Sequence, residues 1–201
     1  MKTFLKIVAY LLHPLFMPIL GSGLYYWVSP RYSPIEMQGT ILIKIAILTV
    51  CIPLILYYLL KNLGVVSSVF LEHITERKIP LYANTILLLL ILKIVLPDSF
   101  AIELYWFFVA ALSTTLACLM LIFFKIKASI HMMGICSVTM FVMILSVHYQ
   151  KNLLLMISVL IIGCGLVATS RLSTKSHNGL ELILGSLLGL IPQILVVNYW
   201  M

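Results

Sequence analysis

Residues 153–168 read LLLMISVLIIGCGLVA, residues 170–181 read SRLSTKSHNGLE, and residues 182–197 read LILGSLLGLIPQILVV. Each apolar run is close to the length at which a helix crosses the hydrocarbon core of a bilayer, about 17 to 25 residues. The segment between them holds an arginine, a lysine, a histidine and a glutamate. Two membrane-spanning helices joined by this segment are the simplest interpretation. The segment itself is then either an ordinary polar loop or a functional site.

The composition extends this interpretation to the whole chain of 201 residues. Hydrophobic residues make up 63% of the sequence and charged residues 9%, with a mean hydropathy of +1.16. Soluble domains carry roughly a quarter charged residues, so a soluble globular protein is excluded. The sequence predicts an all-α protein, a polytopic transmembrane helical bundle that forms a single integral membrane domain over residues 1–201. We expect it in the bacterial cytoplasmic (inner) membrane.

Other features of the sequence limit its function classes. The first apolar run continues through Pro14 and Pro18 without a small-residue cleavage site, which argues against a cleaved signal peptide. The four cysteines are isolated within apolar runs and are interpreted as small buried hydrophobic residues. The formal net charge of +7 is spread over short connections, a pattern that indicates membrane topology or anionic head groups and not nucleic-acid binding.

About six to seven spans are predicted, and we count seven. They cover roughly residues 5–28, 41–60, 81–97, 101–124, 131–149, 153–169 and 180–198. Each span carries the chain to the opposite side of the membrane. With seven spans, the connections after the second, fourth and sixth spans therefore share the side of the N-terminus.

These three connections hold the richest polar clusters of the chain. The clusters comprise Glu72, His73, Glu76, Arg77 and Lys78, then Lys125, Lys127, Ser129 and His131, and finally Ser170, Arg171, Lys175, His177 and Glu181. Cations surrounded by hydroxyl donors suit a phosphate group, because arginine matches its oxygens bidentately. We therefore predict a phosphate site on this side of the membrane.

The orientation of the bundle stays open. Nine of the thirteen basic residues lie on the side of the N-terminus, a bias that the positive-inside rule associates with the cytoplasm. Five of these nine are candidates for the phosphate site. Without them, each side carries four basic residues.

Histidine adds chemistry to the predicted site. His177 and Glu181 are four residues apart, so on a helix that begins near His177 the carboxylate would hold one imidazole nitrogen. The other nitrogen would be free to attack phosphorus. His131, at the start of the fifth predicted span, is placed to protonate a leaving oxygen.

The segment SRLSTKSHNGLE resembles the third signature of the type 2 phosphatidic acid phosphatase superfamily. In that signature a Ser-Arg pair is followed after five residues by a His and after three more by an Asp. Ser170, Arg171 and His177 match, and Glu181 stands where the family has Asp.

Two further segments are similar to the other signatures of this family. The segment ASIH, residues 128–131, keeps the Ser and His of the second signature, Pro-Ser-Gly-His, but has Ala128 and Ile130 in place of Pro and Gly. The segment ERKIP, residues 76–80, has an Arg and a Pro but lacks the Lys that precedes them in the first signature. The resemblance covers about residues 72–189.

The resemblance implies a phosphatidic acid phosphatase type 2-like bundle with a metal-independent hydrolase activity and no cofactor. The substrate would be a membrane lipid with a phosphate head group, or a polyprenyl diphosphate, cleaved through a phosphohistidine intermediate. His177 would be the nucleophile, Glu181 its orienting acid and His131 the general acid. The implied phosphate ligands are Arg171, Ser129, Ser170, Arg77, Lys78 and Lys127.

Three other interpretations stay open. The altered first and second signatures favour a catalytically degenerate lipid-phosphate-binding or scaffolding protein of the same fold. A small transporter would need ionisable groups at mid-membrane depth, where the sequence offers only Lys44 and Lys93 near span interiors. His73 with Glu72 and Glu76 could form a metal site. The segment GSLLG, residues 185–189, predicts close helix packing without a functional role.

Overall fold

The computed structural model describes residues 2–71, 73–97 and 101–201, and this part of the chain is helical without a β-strand. Seven of its helical segments are long and apolar enough to cross a membrane. They run Phe4–Val28, Ile35–Asn62, Ile74–Val95, Ile102–Phe123, Ile130–His148, Leu154–Ser173 and Gly179–Tyr199. The predicted all-α architecture is confirmed, and the seven predicted spans correspond to these seven segments.

In the described part of the chain nine α-helices build the seven spans, because each of the first two spans is divided into two α-helices. The helices are α1 (Lys2–Leu11), α2 (Met17–Val28), α3 (Ile35–Ala46), α4 (Ile52–Asn62), α5 (Lys78–Leu90), α6 (Ile102–Phe123), α7 (Ile130–His148), α8 (Leu154–Ser173) and α9 (Gly179–Leu195). A short 3₁₀ turn, Pro14–Phe16, joins α1 to α2, and a π turn, Ile47–Cys51, joins α3 to α4. Pro53 has no N–H to bond to the preceding turn, which accounts for a wider turn immediately before it.

Two predicted boundaries were wrong. The second span begins at Ile35 rather than near residue 41, and the third begins with a 3₁₀ turn, Ile74–Arg77, rather than near residue 81. Arg77 therefore lies in the first turn of a span and not in a loop. It is 1% exposed, and its Nε and Nη1 atoms donate to the carbonyl oxygens of Leu71 (2.8 Å) and Ala128 (2.6 Å). Because backbone carbonyl groups accept its hydrogen bonds, the buried guanidinium does not end the span. Hydropathy alone cannot predict this, since it registers the charge but not its partners.

Helix α7 lies at the centre of the bundle, in contact with α2, α8 and α9. Its closest neighbour is α9, through Gly185 and Gly189. A Cβ atom at Gly185 would lie 2.5 Å from the carbonyl oxygen of Ser129, and one at Gly189 would overlap the carbonyl oxygen of Met133. The close packing predicted for GSLLG is therefore confirmed. It also brings the backbone N–H of Ser129 to the carbonyl oxygen of Glu181, at 3.0 Å.

The three polar clusters meet at one end of the bundle, as the parity of the spans predicts. Arg77 bonds to Ala128, which joins the first cluster to the second. Lys127 donates to the carbonyl oxygen of Ser176 at 2.8 Å, which joins the second cluster to the third.

Candidate phosphate site at one end of the bundle

The turn between α8 and α9 places His177. Helix α8 ends in a Schellman motif, in which the N–H of Ser176 donates to the carbonyl oxygen of Arg171 (3.1 Å) and Lys175 has a φ of 54°. Asn178 caps α9, since its side-chain oxygen accepts from the N–H of Glu181 at 2.9 Å. His177 is held between these two caps.

The imidazole of His177 folds over the first turn of α9. Its Nδ1 atom lies 2.5 Å from Oε2 of Glu181. The contact does not come from a shared helix face, since α9 begins at Gly179 with Asn178 as its cap. It comes from the helix cap. Asn178 caps α9, and this places His177, the residue before the cap, beside Glu181, the third residue of the helix.

Two cations surround this pair. The Nη2 atom of Arg77 lies 3.5 Å from Nε2 of His177. The ammonium group of Lys127 lies 3.9 Å from Oε2 of Glu181. The side chain of His177 is 5% exposed, so these charges act on it with little screening by water.

The surroundings set the protonation of His177. Burial lowers the pKa of the imidazole to about 4, the positive charges of Arg77 and Lys127 act in the same direction, and Glu181 opposes them. The ring is therefore neutral at neutral pH. A neutral ring that donates from Nδ1 to Glu181 keeps a lone pair on Nε2, directed toward the guanidinium of Arg77.

Phe70 joins His131 and Arg171 to this end of the bundle. Its ring centroid lies 5.7 Å from that of His131 and 4.7 Å from the guanidinium carbon of Arg171. His13 completes the group, with its ring edge-to-face against His131 at 5.0 Å. Neither Phe70 nor His13 was predicted for the site, because neither residue belongs to one of the polar clusters.

Besides Arg77 and Lys127, which donate to backbone carbonyl oxygens, three more of the predicted phosphate ligands have other partners. The hydroxyl of Ser129 accepts from the N–H of Met132 at 3.4 Å and caps α7. The hydroxyl of Ser170 donates to the carbonyl oxygen of Leu5 at 2.7 Å and joins α8 to α1. Lys78 is exposed, and its ammonium group lies over the ring of Phe123 at 5.8 Å.

A second polar group at the opposite end of the bundle was not predicted. The carboxylate of Glu103 is 0% exposed and lies 2.8 Å from Nη2 of Arg31. Tyr25 donates to it at 3.1 Å, and Nε2 of His148 lies 3.4 Å away. An acidic residue in the first turn of an otherwise apolar helix is the sequence signal that could have identified it.

The alternative metal site around His73 is not formed by the residues that the structure describes. They contain no group of three or more His, Cys, Asp or Glu side chains that could hold a metal ion. Glu72, which belonged to that prediction, lies outside the described residues.

No protein-family model matches the sequence, and neither a curated protein nor a solved structure matches the chain. Any assignment of function therefore depends on the motifs and on the geometry of the site.

Proposed function

We propose that this protein is a membrane-embedded phosphohydrolase of a lipid phosphate or polyprenyl diphosphate, with the fold of the type 2 phosphatidic acid phosphatases. The observation that carries the proposal is the state of His177. Its Nδ1 atom is held by Glu181, its Nε2 atom faces Arg77, and its ring is neutral at neutral pH. An imidazole that attacks phosphorus must be neutral, with a free lone pair on one nitrogen, and a guanidinium beside that nitrogen can bind the anionic phosphoryl group.

In the first step, the lone pair of His177 Nε2 attacks phosphorus. The P–N bond forms while the bond from phosphorus to the lipid oxygen breaks. The leaving oxygen takes a proton from His131, which enters the step in its protonated form, and the carboxylate of Glu181 stabilises the positive charge on the ring of His177. Arg77, 3.5 Å from the attacking nitrogen, binds a phosphoryl oxygen.

In the second step, water hydrolyses the phosphohistidine. The water oxygen attacks phosphorus, its proton goes to His131, and the P–N bond breaks with return of the electron pair to Nε2. Both histidines are then in their starting states. The cycle needs only residues of this chain and one water molecule.

The test is phosphate release by the purified protein in detergent, with dioleoyl phosphatidate and farnesyl diphosphate as substrates. We expect release by the wild type and acid-labile phosphate on the protein during turnover. His177→Ala should abolish both, and Glu181→Gln should lower the rate by about a hundredfold or more. His73→Ala, at an exposed histidine, is the control and should keep the rate.

One observation favours a second candidate, a lipid-phosphate-binding protein without turnover. The hydroxyl group of Ser170 and two donor nitrogens of Arg77 already donate to backbone carbonyl oxygens within the protein. Fewer donors then remain for the transition state. This candidate predicts no phosphate release, with phosphatidate binding that His177→Ala leaves unchanged and Arg171→Ala weakens.

A further inference from the structure

A mostly apolar, partly open cavity of about 190 Å³ lies between the helices, next to the candidate phosphate site. Residues of α2, α4, α5, α6 and α7 line it. Leu71, whose carbonyl oxygen accepts from Arg77, forms part of its wall. The described residues that line the cavity include no Lys, Arg, Asp or Glu. Such a chamber fits a segment of hydrocarbon chain.

The polar residues of the cavity wall include two histidines. His13 is 7% exposed and His131 is 4% exposed, and both line the cavity. Their Nε2 atoms have no hydrogen-bond partner among the described residues. The backbones of Val69 and Ala9 lie beside His13 and His131 respectively, but neither completes a hydrogen bond to an Nε2 atom. A buried polar atom without a partner destabilises the empty site, so a ligand that supplies the partner gains affinity.

The hydrogen bonds of His13 show what this partner must be. The N–H of Leu15 donates to Nδ1 of His13 at 3.4 Å, so Nδ1 acts as the acceptor. In the neutral ring the proton is then on Nε2. His13 therefore offers the cavity one N–H donor, which calls for an acceptor oxygen on the ligand.

We propose that His13 determines substrate specificity by donating a hydrogen bond from Nε2 to an ester carbonyl oxygen of the lipid, and that the substrate is an acylglycerol phosphate with one acyl chain in the cavity. This inference rests on the proposed function, which places the phosphate at Arg77 and His177. In an acylglycerol phosphate, only the short glycerol backbone separates the leaving oxygen from the ester carbonyl group. His13 is in contact with His131, which is assigned to that leaving oxygen.

The alternative substrate class fits the cavity less well. A polyprenyl chain carries no hydrogen-bonding group below its phosphates, so its chain would leave His13 without a partner. The second phosphate of a polyprenyl diphosphate could accept from His13. The wall itself contains no Lys or Arg among the described residues, but the guanidinium of Arg171 lies 4.7 Å from the ring centroid of Phe70, which lines the cavity. Farnesyl diphosphate is therefore included in the experiment as the direct test of this alternative.

The experiment compares three substrates with the same detergent-solubilised protein: dioleoyl phosphatidate, its dialkyl ether analogue without carbonyl groups, and farnesyl diphosphate. We expect kcat/KM for the diester to exceed that for the diether by about three- to tenfold, which corresponds to one hydrogen bond. Farnesyl diphosphate should also be poorer than the diester. His13→Phe keeps a ring in the wall but removes the donor, and should bring the ratio of diester to diether close to one. His73→Phe, at an exposed histidine that does not line the cavity, should keep the wild-type ratio.

The outcomes separate the two proposals. Equal hydrolysis of diester and diether by the wild type, or a preference for farnesyl diphosphate, overturns the role of His13 and leaves the phosphohydrolase standing. No release from any of the three substrates overturns the phosphohydrolase and this inference with it. The comparison of diester with diether uses the wild type alone, so it decides the matter even if His13→Phe does not fold.

Discussion

Nη2 of Arg77 lies 3.5 Å from Nε2 of His177, across 100 residues of sequence. The same guanidinium also bonds to the carbonyl oxygens of Leu71 and Ala128. Arg77 thus holds together the three segments that form the site, and it does so while almost completely buried. Its planar fork of donors is what makes three partners in three directions possible.

Arg77→Met should destabilise the protein and also remove its activity. The variant leaves two backbone carbonyl groups without their donor, at a cost of about 1–3 kcal/mol each where they are buried. It also removes the cation beside His177. Thermal unfolding in detergent and phosphate release from dioleoyl phosphatidate measure the two effects. Lys78→Met is the matched control, because it removes the adjacent charge at an exposed position. Equal effects of the two variants would contradict the central role of Arg77.

The unfolding temperature should fall as the pH is lowered from about 6.5 toward 4, in part because of His177. The pKa of His177 is about 4 in the folded protein against 6.5 for an unperturbed histidine. Between these values the unfolded chain binds more protons, so this contribution to stability is complete above 6.5 and is lost toward 4. His177→Gln should reduce the pH dependence, measured as the difference in unfolding temperature between pH 7.5 and pH 5. His73→Gln serves as the control. An unchanged slope in His177→Gln would show that the ring is not buried as described.

The contact between α7 and α9 should not tolerate an added methyl group. At Gly189 the new Cβ atom would overlap the backbone oxygen of Met133, which cannot move away without shifting the helix. We expect Gly189→Ala to cost about 1–3 kcal/mol, as for other overpacked cores. Gly165→Ala on α8 is the matched control, since its new Cβ atom would meet no atom of the described residues within 4 Å beyond the helix itself. The free energy of unfolding in a mixed detergent measures both. Similar losses in the two variants would mean that the close approach is not what limits the packing.

Much of this arrangement could be predicted from the sequence, because the signals are local. Runs of apolar residues define the spans, and the number of spans puts the three polar clusters at one end. The spacing of His177 and Glu181 is short enough that a cap or a helix brings the two side chains together. The small residues of GSLLG identify the closest helix contact for the same reason.

The rest depends on long-range contacts that leave no local pattern. A charge normally ends an apolar span, so the sequence places Arg77 in a loop, and its buried partners become visible only in three dimensions. Ser129 and Ser170 fit a signature by identity and spacing, but their hydroxyls bond to the protein's own backbone. Phe70 belongs to a connection without regular periodicity, so nothing in its neighbourhood indicates that it contacts a histidine and an arginine.

The ion pair at the opposite end of the bundle should be asymmetric in its energetics. The side chain of Glu103 is 0% exposed, whereas that of Arg31 is 46% exposed. Arg31→Met therefore leaves a buried carboxylate with Tyr25, Tyr149 and His148 beside it but without its arginine, and we expect a loss of about 3–5 kcal/mol. Glu103→Gln should cost clearly less, because the cation of Arg31 can turn to water. The double variant should be more stable than Arg31→Met alone, since it removes the unpaired charge. Thermal unfolding of the three variants tests this order, and equal losses in both single variants would contradict it. The ratio of diester to diether hydrolysis should stay at its wild-type value in Glu103→Gln, because this pair and the phosphate site lie at opposite ends of the bundle.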